Sequence, residues 1–180
     1  VAVLYFSDVY PSLLESTVKG VFQVVSMATT TGFSTADFNS WPLFLPYVLL
    51  YAAIIGACAG STGGGMKVIR ILLIFKQGFR EVQRLIHPRA VIPIKLGGQR
   101  VSDRIVESVW GFFAVYVMVF LVMLLALLAT GLDIVTAFSA VGACINNLGP
   151  GLAEVAVTYG QLPAAAKWIL CFAMLLGRLE

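Results

Sequence analysis

The sequence predicts an all-α membrane protein made of two repeats, each with a short helix, a glycine-containing bend and a longer helix. Of its 180 residues, 59% are hydrophobic and only 12% are charged, whereas a soluble domain carries about 25% charged residues. Residues 38–66 and 108–132 contain no charged side chain. Each run exceeds the roughly 20 residues that cross the apolar core of a bilayer, so we expect a membrane protein rather than a water-soluble one.

Positive charge is concentrated in the middle of the chain. Nine of the twelve Lys and Arg residues lie between positions 67 and 104, where only Glu81 and Asp103 oppose them. Because Lys and Arg accumulate in cytoplasmic loops, we predict that residues 67–104 are cytoplasmic. The basic residues could serve topology alone, or they could bind anionic lipid or an acidic partner.

The first repeat is predicted over residues 1–86. Residues 1–13 are expected to be the outer end of a preceding helix. Residues 15–28 should form a helix that is too short to cross a bilayer and is therefore re-entrant. A broken inner helix is predicted over 41–86, because residues 56–65 include five glycines and each glycine costs a helix about 1 kcal/mol.

A basic loop and a second repeat follow. Residues 87–102 should form the loop, with a possible β-hairpin that turns at Gly97-Gly98. Residues 103–180 should form the second repeat, with Ser102 or Asp103 capping its first helix. Its predicted parts are an outer helix 103–130, a short helix 134–145, a polar bend 146–150 and an inner helix 164–180 that we expect to be truncated.

Both short helices end in a polar stretch that contains one glycine, and the two stretches lie 117 positions apart. At this offset Gly32 aligns with Gly149, and Asp37 with Glu154. We predict that the two stretches are ion filters. The candidate filter residues are Thr29, Thr30, Thr31, Gly32 and Phe33 in the first stretch, and Asn146, Asn147, Leu148, Gly149 and Pro150 in the second.

Such stretches suit a monovalent cation. Backbone carbonyl oxygens can replace the hydration shell of potassium, and glycine permits the backbone angles that aim them. The C-terminal end of a helix adds negative partial charge. The alternative is that each glycine only reverses the chain. Likewise, Asp37 and Glu154 either draw cations to an outer mouth or are solvated turn charges.

The glycine-rich stretch also has two interpretations. It could form a flexible gate across the inner pore, or its glycines could serve helix packing. The candidate residues are Gly56, Gly60, Ser61, Thr62, Gly63, Gly64 and Gly65. A phosphate-binding loop is excluded, because Gly65 is followed by Met66-Lys67-Val68 rather than by Lys and then Ser or Thr.

Taken together, these residues resemble the TrkH family, the membrane subunits of bacterial Trk potassium uptake systems within the Trk/Ktr/HKT superfamily. The resemblance implies helix–pore-loop–helix repeats of potassium-channel type, of which this chain holds the third and fourth. On this resemblance the chain would lack the first helix of the third repeat. Gly32 and Gly149 would be the filter glycines, and the stretch 56–65 would be an intramembrane gating loop. A basic residue at Arg178 would lie near that loop.

The resemblance also implies cellular context. The protein would be multi-pass in the bacterial cytoplasmic membrane, in contact with membrane lipid, and would form a homodimer. A cytosolic nucleotide-binding regulatory subunit could dock on the basic region, through Arg80, Arg84, Arg89 and Arg100. Potassium would be the transported species, with no covalent cofactor, no catalytic residues, no further metal and no nucleic-acid partner.

Three alternative functions differ in the residues that they require. An ion-coupled secondary transporter with a discontinuous helix also uses glycine interruptions, but no Asp or Glu lies in either long charge-free run. An intramembrane enzyme using Ser61 would need a nearby base, and His87, the single histidine, lies 26 positions away in the basic loop. A purely structural membrane subunit is the third.

Overall fold

The computed structural model describes residues 1–42, 44–56, 58, 60–61, 63–90 and 92–178. Thr62 of the predicted gating loop and positions 179–180 of the last predicted helix therefore lie outside the described residues. The described part is mostly helical. Its α-helices are α1 (Ala2–Phe6), α2 (Leu13–Ala28), α3 (Leu45–Ile55), α4 (Val68–Ile86), α5 (Asp103–Leu128), α6 (Ile134–Ile145) and α7 (Ala164–Arg178).

The short helices α2 and α6 begin at capping side chains. The Ser12 hydroxyl accepts a hydrogen bond from the Glu15 N–H at 3.1 Å, and the Asp133 carboxylate accepts one from the Val135 N–H at 3.0 Å. Each bond satisfies one of the N–H groups that the first turn of a helix leaves without a partner. The polar residue before each apolar stretch therefore sets where the helix starts.

Three predicted helix bounds were wrong by a few residues. The first short helix was predicted from position 15, but α2 begins at Leu13. The inner helix of the first repeat was predicted from position 41, but α3 begins at Leu45. Before it, a 3₁₀ turn (Phe38–Ser40) is capped by Asp37, and Pro46 occupies an early helical position, where its missing N–H costs nothing. The outer helix was predicted to reach 130 but ends at Leu128. Gly131 has a φ of 88° there and turns the chain.

Helix α6 lies at the centre of the molecule. It packs against α3, α5 and α7, and Ala137, Ala140 and Val141 have no exposed surface. A Cβ at Gly142 would lie 3.4 Å from the Leu50 side chain of α3. Small residues let neighbouring backbones approach closely, so α6 joins the first repeat to the second.

Of the helices in the described ranges, one, α5, is long and apolar enough to cross a membrane, while α3 and α6 are apolar but shorter. The charge-free run 38–66 is therefore not one continuous spanning helix. It contains the 3₁₀ turn, the eleven residues of α3 and the glycine-rich stretch, which is non-helical where it is described. The clustered glycines end α3 at Gly56, where φ is 71°.

The basic region folds back on α5. Strands β1 (Lys95–Leu96) and β2 (Gln99–Arg100) form an antiparallel hairpin, whose turn residues Gly97 and Gly98 have φ of 55° and 85°, as a two-residue hairpin turn requires. On α4, Arg80 is only 7% exposed. Its Nη1 donates to the Asp103 carboxylate at 2.7 Å.

Candidate functional site

The two predicted filter stretches share one backbone conformation. Thr30 and Asn147, which are 117 positions apart, have φ of 54° and 52°, and the glycines at the same offset, Gly32 and Gly149, have φ of 79° and 105°. All four residues lie in the left-handed region that favours glycine. The sequences of the two stretches differ, but their backbones bend in the same way.

The main-chain hydrogen bonds that close the two helices are also equivalent. In each stretch one N–H reaches back five residues at 2.9 Å and the preceding N–H reaches back three residues at 3.0 Å. The bonds run from Thr31 N to Ser26 O and from Thr30 N to Met27 O in the first stretch, and from Leu148 N to Ala143 O and from Asn147 N to Cys144 O in the second. We call the two stretches the first bend (29–33) and the second bend (146–150).

The two bends lie directly against each other. A Cβ added to Gly32 would lie 2.1 Å from the Leu148 carbonyl oxygen and 3.3 Å from Pro150 Cδ. No side chain fits at this position, whatever its backbone angles. The sequence indicated a glycine here for conformational reasons, and the structure adds a steric reason that involves the other bend.

A cavity of about 700 Å³ lies beside the bends and is lined by both Gly32 and Gly149. Asp37 also lines it, and its side chain is exposed, although the carboxylate accepts a hydrogen bond from the Asn39 N–H at 3.1 Å. Glu154 is exposed on the 3₁₀ turn Ala153–Val155. Asn39 accepts a bond from the Ala153 N–H at 2.9 Å and so links the two loops outside the bends.

The side chains of the second bend point into the protein. Asn146 is fully buried. Its Nδ2 donates to the Gly142 carbonyl at 2.6 Å, and its Oδ1 accepts from the Tyr116 hydroxyl at 3.1 Å. Asn147 Nδ2 donates to the Met174 carbonyl at 3.4 Å. The Asn146 amide is therefore engaged at both its oxygen and its nitrogen, and the Asn147 amide is engaged through its nitrogen.

The first bend is more open. The hydroxyls of Thr29 and Thr31 are exposed and lie 2.8 Å apart. The Phe33 side chain is 73% exposed. The Phe33 carbonyl, however, accepts a hydrogen bond at 2.6 Å from the hydroxyl of Ser26, which is buried in α2. Phe33 thus does not anchor this bend within the described residues, whereas Ser26 does.

The glycine-rich stretch lies against both bends. The Gly64 N–H donates to the Thr30 hydroxyl at 3.0 Å, and a Cβ on Gly64 would lie 1.8 Å from the Asn146 carbonyl oxygen. A Cβ added to Gly56 would lie 2.7 Å from the Gly64 carbonyl oxygen, and one added to Gly65 would lie 2.7 Å from the Ala53 carbonyl oxygen. At Gly60 such an atom would meet nothing within 4 Å.

Lys67 is a residue whose role the sequence did not reveal. Its ammonium donates to the Ser61 carbonyl at 2.8 Å and also to the Gly63 carbonyl. Lys67 has a φ of 64°, so the backbone turns there and brings the side chain back over the loop. From the sequence, Lys67 is only the first of the nine basic residues of the predicted cytoplasmic region. The sequence feature that could have indicated this contact is the position of Lys67 directly after the glycine-rich stretch.

The end of α7 meets the same region. A Cβ on Gly177 would lie 1.9 Å from the Ile145 carbonyl oxygen, the last residue of α6. Arg178 follows Gly177 and is exposed. The resemblance implies a basic residue near the intramembrane loop. In the structure, Gly177 contacts the Ile145 carbonyl, and Gly64 of the glycine-rich stretch contacts the carbonyl of the next residue, Asn146.

Comparisons with known proteins agree with this fold. Residues 9–180 match the sequence model of the TrkH family, described as cation transport proteins. The chain is 63% identical over 160 residues to the Trk system potassium uptake protein TrkH of Halomonas elongata, covering 89% of this chain and 33% of that protein. It is 58% identical over 178 residues to the protein of the same name from Escherichia coli K12, covering 99% and 37% respectively.

A solved structure is also similar. The crystal structure of the potassium transporter TrkH from Vibrio parahaemolyticus superposes with a TM-score of 0.92 at 54% identity, over 99% of this chain and 38% of that one. The present chain spans about a third of the length of the curated relatives that it matches. The resemblance predicted from the sequence is confirmed, and the chain belongs to the TrkH family of cation transport proteins.

Proposed function

We propose that this chain forms part of a pathway for potassium across the bacterial cytoplasmic membrane, with carbonyl oxygens of the first and second bends facing one axis as a selectivity filter. Two relatives, 63% identical over 160 residues and 58% identical over 178 residues, are named potassium uptake proteins. The observation that carries the proposal is the contact between two bends of equal conformation, at Gly32 and the Leu148 carbonyl. Two helix C-termini, each with negative partial charge, thereby meet at one place.

The rest of the filter would come from outside this sequence. The relatives are about three times as long as this chain, and we propose that two further repeats complete a pore of four. Helix α2 leaves an apolar face exposed, with a cavity of about 670 Å³ that runs from Thr17 to Phe33. That face is where we expect the additional helices to pack, and Phe33 would then be covered.

We propose that the glycine-rich stretch gates this pathway from the cytoplasmic side. It contacts the Asn146 carbonyl through Gly64 and the Thr30 hydroxyl through the Gly64 N–H. Lys67 holds two of its carbonyls. Clustered glycines give the segment many alternative conformations, so release of these few contacts would let it move aside. Non-helical backbone at membrane depth is tolerated where it lines such a wet path.

The partners follow the same reasoning. We propose a homodimer embedded in lipid and regulated by a cytosolic nucleotide-binding subunit, as the family resemblance implies. The relatives' names, which assign them to a Trk system, support the presence of further components. Arg84, Arg89 and Arg100 are exposed and can contact such a subunit. Arg80 cannot, because it is buried against Asp103, which corrects the docking set expected from the sequence.

The proposal is tested by Gly32→Ser in the full-length transporter, with Gly111→Ser as the control. An added Cβ at Gly111 meets nothing within 4 Å on α5. We expect Gly32→Ser to lower the potassium-to-sodium permeability ratio by about tenfold or more, since tenfold corresponds to only about 1.4 kcal/mol. Reversal potentials in reconstituted bilayers measure the ratio. An unchanged ratio in a folded protein would refute the filter.

A further inference from the structure

One tyrosine contacts a filter carbonyl from outside the bend. The Tyr159 hydroxyl donates to the Gly149 carbonyl at 2.7 Å. Tyr159 belongs to the connection between the 3₁₀ turn Ala153–Val155 and α7. It lines the outer cavity of about 700 Å³ on one side and an apolar cavity of about 470 Å³ between α6 and α7 on the other. The Tyr159 ring therefore separates the two cavities, and it packs against the hydrophobic cluster that includes Val155 and Leu162.

Among the described residues, no main-chain N–H donates to the Gly149 carbonyl. Gly149 is exposed, has a φ of 105° and would meet nothing within 4 Å if a Cβ were added. In the first bend, by contrast, Gly32 is pressed against the Leu148 carbonyl, and the next carbonyl is bonded by the Ser26 hydroxyl. The residue 117 positions after Ser26 is Ala143, which has no hydroxyl. The second bend lacks the internal hydrogen bond that steadies the first.

The hydrogen bond also changes what the oxygen offers to an ion. A carbonyl oxygen has two lone pairs, and donation by the Tyr159 hydroxyl occupies one and leaves the other. A donor of this kind weakens the negative field that the oxygen presents. Burial raises the pKa of the Tyr159 phenol, so the hydroxyl stays protonated and remains a donor at neutral pH. A weaker field penalises potassium less than sodium, since sodium is the smaller ion and gains more from strong ligands.

We propose that Tyr159 is a positioning and specificity-determining residue of the second bend: its hydroxyl fixes the Gly149 carbonyl and lowers its field strength, which favours potassium over sodium. This rests on the proposed filter. Tyr159 lies ten residues beyond Gly149, in a connection that carries no motif, so this contact could not be predicted from the sequence. The two bends would then reach the same backbone shape through different supports, a serine from within the short helix and a tyrosine from the outer connection.

The test is Tyr159→Phe in the full-length transporter, which keeps the ring and removes the donor. Tyr47→Phe is the matched control, because Tyr47 is a 41% exposed residue of α3. Loss of one hydrogen bond corresponds to about a fivefold change, so we expect the potassium-to-sodium permeability ratio to fall about fivefold in Tyr159→Phe and not in the control. A residue that only supports folding would reduce the amount of active protein and leave this ratio unchanged.

Gly32→Ser is measured in the same experiment. If Gly32→Ser alters the ratio and folded Tyr159→Phe does not, the filter proposal survives and the role of Tyr159 is overturned. If neither variant alters the ratio, the filter itself is wrong. If Tyr159→Phe does not fold, 3-fluorotyrosine at position 159 keeps the ring and makes the hydroxyl a stronger donor. The ratio should then rise, and an unchanged ratio would contradict the proposal.

Discussion

The contact between Gly64 and the second bend gives a direct test of gating. In Gly64→Ala the new methyl group would lie 1.8 Å from the Asn146 carbonyl oxygen. Gly64 does not have a left-handed φ, so alanine brings no backbone strain of its own. The substitution therefore acts as a steric wedge between the glycine-rich stretch and the second bend.

The size of the effect follows from the overlap. Real Cβ atoms essentially never approach within 3.0 Å of such an atom, so the two segments must separate by roughly 1.2 Å. Overpacking of this kind costs about 1–3 kcal/mol. The Gly64 N–H bond to Thr30 would lengthen with it. If the cost falls on the closed loop, the open-to-closed ratio rises about tenfold for each 1.4 kcal/mol.

Flux of rubidium into liposomes that contain the full-length transporter, without its regulatory subunit, measures this ratio. We expect basal flux to rise by about tenfold or more in Gly64→Ala. Gly78→Ala on α4 is the control, because an added Cβ there meets nothing within 4 Å and alanine favours a helix. A folded Gly64→Ala protein whose basal flux equals or falls below that of the wild type would refute the reasoning.

Two further predictions concern charged residues. Lys67→Met keeps the length of the side chain but removes both donations to the loop carbonyls. Charge-assisted bonds are worth about 1.5–3 kcal/mol, so basal flux should rise about tenfold in the same assay, and a wild-type value would show that Lys67 does not hold the loop. Arg80→Met breaks the 2.7 Å pair with Asp103. The midpoint temperature of thermal unfolding of Arg80→Met should fall by about 2–4 °C for each kcal/mol of stability lost. Arg84→Met, at a side chain that is 45% exposed, should change this temperature by less than about 1 °C. Equal shifts in the two variants would contradict the role of burial.

The sequence was most informative about local structure. Charge-free runs and capping residues indicated where helices lie, and α6 begins directly after Asp133 and ends directly before Asn146. The offset of 117 also paired residues that share left-handed angles, Thr30 with Asn147 and Gly32 with Gly149. Helix ends and left-handed backbone angles depend on residues that are close in the sequence. The amino-acid type constrains them directly, so they could be predicted.

Contacts between distant segments could not be predicted in this way. The burial of Arg80, the return of Lys67 over the loop and the reach of Tyr159 to Gly149 depend on how helices pack. A lysine or arginine in a basic run has the same sequence signature whether it is solvated or paired. The start of α3 at Leu45 was also missed, because a capped 3₁₀ turn and a helix begin with similar polar residues.

The three described glycines with the tightest contacts, where an added Cβ would lie 1.8–2.1 Å from a carbonyl oxygen, converge on the end of α6 and the second bend that follows it. Three segments, each far from the others in sequence, approach consecutive parts of one backbone there. The contacts are Gly177 of α7 on the Ile145 carbonyl, Gly64 of the glycine-rich stretch on the Asn146 carbonyl, and Gly32 of the first bend on the Leu148 carbonyl.

This convergence has a mechanical consequence for the proposed function. Well-packed backbones transmit displacement, because little free space is available to absorb it. A movement of Gly64 away from the Asn146 carbonyl removes support two residues before Leu148, whose own carbonyl supports Gly32. Opening of the glycine-rich stretch should therefore alter the filter as well as unblock the path below it. On this reasoning Gly64→Ala lowers the potassium-to-sodium ratio in addition to raising basal flux, whereas Lys67→Met, which acts at the far side of the loop, raises flux with a smaller change in the ratio.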